Sequence, residues 1–299
     1  MSDLRWYVKK AARGGMALGV WGSGALRAAQ IVSNKPRVRA LTYHRFGHER
    51  REAFCVSPSD FELQMAWLSS HGLAISLEDV IAFVRGKRTL KDDSVLVTID
   101  DGCVSTLEIA LPILQKYRVP AVAFVTSSLI GMGELGLPER YMSWDELRAC
   151  AKAGLTIGSH AYSHRSLGQM PIEDARDEVR RSRDRLEAEL GRKVISFAYP
   201  FGTHGDFNAG TDRELMAAGY EVAFNSQHGA IHFGCYRDGA SISLPRTKVE
   251  GGEPLLMFRL LVKGAMDPWR AIDRNLWRFQ RERKEIVAEE PIAQRAAAE

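Results

Sequence analysis

Cysteine is scarce in this 299-residue chain: Cys55, Cys103, Cys150 and Cys235 are dispersed, with no Cys-x-x-Cys pair among them. That excludes a cysteine zinc site and a disulfide framework as organising devices, and Cys103 is expected as a small buried hydrophobe. No apolar run is clean enough to span a bilayer, since the best stretch, Gly14 to Val32, is broken by Arg27 and several glycines. The same stretch makes a weak export signal, because the charged region before it is long and no clean cleavage site follows. Internal repeats and interdomain linkers are lacking too. The one glycine-rich run, Ile130 to Gly136, does not follow the strand, Gly-x-Gly, helix order of a nucleotide loop.

What is present fits one large α/β domain. Hydrophobic residues make up 45% and charged residues 26% of the chain, enough for a barrel-sized core with tails. Strand-like runs (Arg39 to Gly47, Ser94 to Ile99, Ala121 to Val125, Leu155 to Gly158, Lys193 to Ile195, Leu244 to Val249) alternate with helical ones. Helices are expected from Ser57 through Leu68, from Ser76 through Val84, from Leu107 to Tyr117, from a capping box at Ser143, and from Pro171 to Leu190. Repeated βα units of this length predict a distorted (β/α) barrel with helices outside. Its glycine-rich loop at 130–136 would cover the mouth.

Two motifs carry the chemistry. Thr98-Ile99-Asp100-Asp101-Gly102 leaves the apolar strand Ser94 to Ile99, so its acids sit at the C-terminal end of a buried parallel strand. Adjacent acids on an extended segment point to opposite sides, so one can hold a metal while the other takes a proton. About sixty residues later, Ser159-His160-Ala161-Tyr162-Ser163-His164 supplies two imidazoles four apart, close enough to hold one ion. Two imidazoles and one carboxylate suit zinc or another first-row ion in a catalytic site with open positions. The reaction implied is metal-assisted hydrolysis of an amide or ester.

A third motif, Ser196-Phe197-Ala198-Tyr199-Pro200-Phe201-Gly202, follows. With it, the chain from about Val38 to Val249 resembles the polysaccharide deacetylases, the NodB-homology family of carbohydrate esterases. The resemblance implies that Asp100 is the general base, that Asp101, His160 and His164 are metal ligands, and that the Tyr199-Pro200-Phe201-Gly202 segment lines the groove, a backbone N–H there helping to bind the oxyanion. Leu41-Thr42-Tyr43-His44 looks like the branch that trims N-acetylated exopolysaccharides, which implies that His44 faces the site and touches substrate. The chain departs from the family in two places. Ala198 stands where many members have an arginine that orients the base, and Arg246 is the candidate replacement. The late Leu-x-His of the family, whose histidine is the general acid, has no match after residue 200, where His228 and His232 are the nearest substitutes.

The ends differ from the middle. Residues 1–39 hold eight basic side chains and one acidic one, a balance of +7, while the whole chain carries only +4. With Leu4, Trp6, Tyr7 and Val8 beside Lys9, Lys10 and Arg13, this end suits an interfacial contact with anionic membrane. Trp269, Ile272, Leu276 and Phe279 recur at helical spacing among arginines, which predicts a last helix packed on the barrel in preference to the alternative, a second basic amphipathic contact with anionic lipid. The tail from Ala288 reads as disordered.

The expected organisation is a basic extension over 1–37, a catalytic barrel over 38–262, and a helix with a tail over 263–299. The expected activity is metal-dependent removal of N-acetyl groups from a glycan or lipid-linked saccharide, at or beside the cytoplasmic face of a membrane, with zinc, cobalt, nickel or manganese as the ion and no nucleic-acid partner. A deformylase or amidase acting on a small sugar or ring amide, and a non-catalytic glycan-binding barrel, are the alternatives.

Overall fold

A computed structural model of the chain describes residues 3–24, 26, 28, 36–49, 51–134, 139–236 and 242–274. The predicted tail and the part of the last helix that holds Leu276 and Phe279 lie outside them. The strands are β1 (Arg37–Tyr43), β2 (Arg45–Phe46), β3 (Cys55–Val56), β4 (Ser94–Ile99), β5 (Ala121–Val125), β6 (Thr156–Ser159), β7 (Ser196–Ala198), β8 (Val222–Phe224), β9 (Ile231–His232), β10 (Ser243–Leu244) and β11 (Arg246–Lys248). They form a nine-stranded sheet in the order β10-β8-β7-β6-β5-β4-β1-β11, with β9 beside β1, and a small pair of β2 with β3. Every pairing in the large sheet is parallel except that of β9.

The expected last strand, Leu244 to Val249, is divided. Pro245 has no N–H to give a ladder, and the chain changes neighbours there: Leu244 pairs with Phe224 on β8, and Arg246 pairs with Ala40 on β1. One extended segment therefore bridges both edges of the sheet and brings it near to a closed barrel.

Period-two alternation sorts the side chains into two cores. Leu96 on β4, Val122 and Phe124 on β5 and Phe224 on β8 belong to an inner core with Val80, Phe83 and Val84. These last three come from a helix over Leu77–Val84, capped by a Ser76–Asp79 capping box, which closes the barrel's lower end. The alternate residues Val95, Val97, Ile99, Ala123 and Val125 belong to the outer core beneath the surrounding helices. Both faces are buried, which is why these strands read as continuous apolar runs. The other expected helices occur at Pro58–Ser70, Leu111–Tyr117, Trp144–Lys152 and Ile172–Leu190. The fifth expected strand shifts from Lys193–Ile195 to β7 at Ser196–Ala198, because Glu187 takes the Val194 N–H at 2.9 Å before the ladder begins.

Helices at Asp3–Gly22, Ala209–Ala218 and Leu255–Val262 complete the fold. The first of these is docked on the barrel. Its Lys9, Lys10 and Arg13, expected to face an anionic surface, turn to Glu250 and Glu253 at 2.8–3.6 Å. Arg13 and both acids are buried, and Ala17 is fully enclosed. Leu4, Tyr7, Val8, Leu18 and Trp21 remain outside. At the other end, Arg39 clasps Asp267 through two hydrogen bonds of 2.6 and 2.9 Å, so residues 263–274 pack on the barrel wall as expected for the start of the last helix. Among the described residues no helix is long and apolar enough to cross a membrane.

Candidate active site

The inward series of β4 ends on Asp100. After Leu96 and Thr98, the pleat turns Asp100 into the mouth of the barrel, where it is 2% exposed. Arg246, first residue of β11, points in from the neighbouring edge and grips both its oxygens, Nη1 to Oδ1 at 2.7 Å and Nη2 to Oδ2 at 2.8 Å. Arg246 is itself fixed: its Nε donates to the Asn225 carbonyl at 3.0 Å, and Nη1 also donates to Thr98 Oγ1 at 3.1 Å. This is a bidentate fork on a carboxylate, a geometry that lysine cannot reproduce. Each Asp100 oxygen keeps a lone pair for another donor.

Asp101 is thrown the other way by a left-handed backbone, φ 76°. Gly102 follows at φ 90°, where an added Cβ would come within 3.1 Å of Val125, so the turn requires glycine. Across from Asp101 stand His164 Nε2 at 3.4 Å and His160 Nε2 at 3.7 Å. The three ligand atoms lie within 4.8 Å of one another. Donors held about 2.1 Å from one tetrahedral ion sit about 3.4 Å apart, so the observed separations fit a metal set better than a hydrogen-bonded one. His160 meets the further requirement of an outer partner, its Nδ1 lying 2.7 Å from the Ala198 carbonyl, which leaves Nε2 for the site.

Three of the four site loops carry non-glycine residues at positive φ: Asp101, then Ala161 (63°) and His164 (60°), and Phe201 (60°). Such conformations cost roughly 1–3 kcal/mol each and persist only where the surroundings enforce them. Two acids that the sequence analysis did not single out do the enforcing. Glu178 accepts from the N–H groups of Tyr162 and Ser163 at 3.1 and 2.8 Å. Asp206 joins the histidine loop to the aromatic loop, accepting from Ser166 Oγ at 2.7 Å and from the Thr203 N–H at 2.8 Å. The signal for Glu178 was its position, on the buried stripe of Ala175, Val179, Ser182 and Leu186 in the Ile172–Leu190 helix, where an acid is out of place.

The remaining expected residues divide. His44, just past β1, has its Nδ1 buried without a partner, and its ring packs on Phe54 at 4.8 Å. Phe201 lies against His164, ring centres 4.9 Å apart. Tyr199 is turned away: it is fully buried, its hydroxyl donates to Asp212 at 2.6 Å, and its N–H donates to the Phe224 carbonyl. Neither its ring nor its N–H faces the mouth, and Pro200 has no N–H to offer. Gly202 N–H turns back to Pro200 O at 2.6 Å. Of the two substitute histidines, His232 pairs with Arg37 at the opposite end of β1, remote from the site, while His228 is buried beside Asp273 at 3.3 Å.

The electrostatics separate the paired acids. Burial would raise the Asp100 pKa, but the charge and hydrogen bonds of Arg246 outweigh it and hold the carboxyl below its ordinary value. Burial likewise opposes ionisation of Asp101, but the surrounding histidines, His164 first, outweigh it and hold the carboxyl well below its ordinary value. Desolvation pulls His160 down to about 4, so it is neutral and able to ligate near pH 7. Burial also disfavours charge on His164, yet its contact with Asp101 prevails and raises its pKa. Burial lowers that of His44. The arrangement can bind a divalent ion, hold an ionised base beside it, and keep bulk water from both.

Comparison with known proteins agrees with this chemistry. The family model described as polysaccharide deacetylase matches residues 87–223, a stretch that contains the paired acids, both histidines and the aromatic loop but neither His44 nor Arg246. YxkH of Bacillus subtilis, which carries the polysaccharide deacetylase name, is 24% identical over 229 residues, 75% of this chain and 76% of that protein. The poly-β-1,6-N-acetyl-D-glucosamine N-deacetylase of Staphylococcus aureus is 25% identical over 187 residues, 60% of this chain and 63% of that enzyme. Among solved structures, the Streptococcus pyogenes deacetylase PplD in complex with acetate superposes with a TM-score of 0.67 at 20% identity, covering 76% of this chain and 99% of that one.

Proposed function

We propose, from the premise that the chain carries a polysaccharide deacetylase domain of the NodB type, that it removes N-acetyl groups from an acetylated glycan of the poly-N-acetylglucosamine kind. The observation that carries this reading is the junction of an Arg246-clamped carboxylate with an Asp-His-His set on the next residue. A non-catalytic glycan binder has no use for a buried base held in a guanidinium fork beside a metal set. The deformylase alternative shares the chemistry but lacks an observation of its own.

Asp101, His160 and His164 would hold a divalent first-row ion, for which zinc is our choice from the N/N/O donor set. When bound, the ion supplies Lewis acidity toward the amide carbonyl and lowers the pKa of water. Asp100 accepts the proton of the attacking water on an oxygen that Arg246 leaves half-free. Arg246 positions Asp100 and keeps it ionised. His44 is our candidate for the group that passes a proton to the departing amine, a reading supported by its unpartnered buried nitrogen and its electrostatic interaction with Asp101 and Asp100. Phe201 walls one side of the site through its edge-on contact with His164. For the amino-terminal helix we infer peripheral contact with a membrane on the cytoplasmic side, made by its apolar outer face, since its cations are committed to Glu250 and Glu253.

Acetate release from β-1,6-linked N-acetylglucosamine oligomers tests the reading. Release that a chelator stops and added zinc restores is expected; no release from any acetylated oligosaccharide by the metal-loaded protein would overturn it.

A further inference from the structure

We propose that a second cavity beside the catalytic mouth is an anion subsite, and that acetylated sugars bearing a phosphate or carboxylate next to the acetamido group are therefore bound in preference to neutral ones. The substrate part of this inference rests on the deacetylase reading; the binding part does not. The cavity, of about 420 Å³, opens between the loops after β7 and β8 and the helical turns at 269–274. Its size suits one or two sugar units.

The cavity shares a wall with the active site. Asn225, which lines it, lends its carbonyl to Arg246 Nε at 3.0 Å. Thr203, on the other side, follows two residues after the Phe201 ring that lies on His164. A glycan with one acetamido group at the metal set would place its next substituent here. Phe207 gives an apolar face and Gln227 a polar one.

The charge in the cavity is what selects the ligand. Arg270 and Arg274, one helical turn apart, both line it, and among the described residues neither has a carboxylate within ion-pair distance. Four exposed arginines elsewhere are spent on a carboxylate, Arg85 on Glu221 at 2.9 Å, Arg140 on Glu146 at 2.7 Å, Arg148 on Glu189 at 2.6 Å and Arg176 on Glu214 at 2.8 Å, whereas Arg270 and Arg274 share one cavity. The lining acid, Asp273, accepts a hydrogen bond from the Trp269 indole at 3.1 Å on Oδ1, and its Oδ2 lies 3.3 Å from His228 Nδ1. Two guanidiniums that line one sugar-sized cavity and, among the described residues, have no ion-pair partner form a fork for a phosphate or a carboxylate. A neutral glycan leaves them solvated at no cost, whereas an anionic one gains contacts.

Binding of three probes distinguishes the sources: N-acetylglucosamine, N-acetylglucosamine 1-phosphate and N-acetylmuramic acid, titrated by NMR into the full-length, metal-loaded Asp100→Asn protein, whose turnover is slowed enough for binding to be read first. At least one charged sugar should bind on the order of tenfold tighter than the neutral one, as expected for one charge-assisted contact pair, and the tighter of the two identifies phosphate or carboxylate. Adding Arg270→Ala and Arg274→Ala should erase the preference while leaving N-acetylglucosamine binding unchanged, and both arginines replaced by lysine should restore part of it. Equal binding of all three probes, or a preference that survives the double alanine variant, would overturn the subsite. Acetate release by the wild-type protein from neutral oligomers reads the deacetylase assignment separately, so each can fail without the other.

Discussion

Two clusters of buried charge lie on this barrel, and they are built on opposite terms. Under the amino-terminal helix, Arg13 and Lys10 meet Glu250 and Glu253, cation against anion, on relaxed backbone. At the mouth, Arg246 and Asp100 form one closed pair, but beside it Asp101, His160 and His164 gather three ligand atoms, the two imidazoles 3.4 and 3.7 Å from the Asp101 carboxylate, with Asp101 and His164 on left-handed backbone. The first cluster is complete as it stands. The second is held together by Glu178 and Asp206 in an arrangement that becomes favourable when a cation enters it. Burial of charge does not separate a site from a clamp here. Unspent ligand valence and enforced strain do.

Breaking the open cluster should have the largest effect. His160→Ala or His164→Ala removes one of three ligands and should take acetate release to background, with the fold intact by circular dichroism. Wild-type turnover in either variant would return that histidine to a structural role.

Next in size is the fork. Arg246→Lys keeps the charge but loses the two-point grip, and kcat should fall by about ten- to a hundredfold with zinc content unchanged. A fall in zinc content with unchanged kcat would mean that Arg246 serves the metal and not the base.

The closed cluster should answer in stability alone. Arg13→Ala takes the buried cation from two buried acids, leaving them to Lys9 and Lys10, and should cost about 3 kcal/mol, read as a lower melting temperature, with metal content unmoved. The acid limb sharpens this. Burial works against the Glu250 carboxylate, but Arg13, Lys9 and Lys10 overcome it and depress its pKa from 4.5 to about 2. The folded value lies below the ordinary one, so the pairing stabilises the fold fully above pH 4.5, and that contribution is lost as pH falls toward 2. Stability that declined over this window as steeply in Arg13→Ala as in the wild type would dissolve the clamp.

The smallest effect concerns the outer face of the amino-terminal helix. With its cations engaged, co-sedimentation with anionic vesicles should depend only weakly on salt and should fall in Leu4→Ser/Leu18→Ser. A strong loss of binding at high salt would restore the electrostatic anchor expected from composition.

The same contrast explains what was legible in the sequence. Motif residues with local partners could be read: the capping boxes at Ser76 and Ser143, the buried runs of β4 and β5, and the turn that separates Asp100 from Asp101. Arg246 sits 146 residues from Asp100, and it could be named only because Ala198 left a vacancy for a cation. Contacts with no motif behind them stayed hidden. The clamp joins residues 240 apart, Glu178 and Asp206 act across loops, and the change of partners at Pro245 depends on where the sheet edges come to lie. Tyr199 was misplaced because its motif names residue types and not directions, and on β7's ladder its ring falls on the outer core.

The central claim is that two adjacent carboxylates do separate work, Asp101 holding the ion and Asp100 moving the proton. Calorimetric titration of zinc into chelator-treated Asp100→Asn and Asp101→Ala, side by side with acetate release, tests it most directly. The account predicts one zinc per chain in Asp100→Asn with kcat lowered on the order of a hundredfold or more, and no stoichiometric binding in Asp101→Ala. Full zinc binding by Asp101→Ala, or a wild-type kcat in Asp100→Asn, would contradict it.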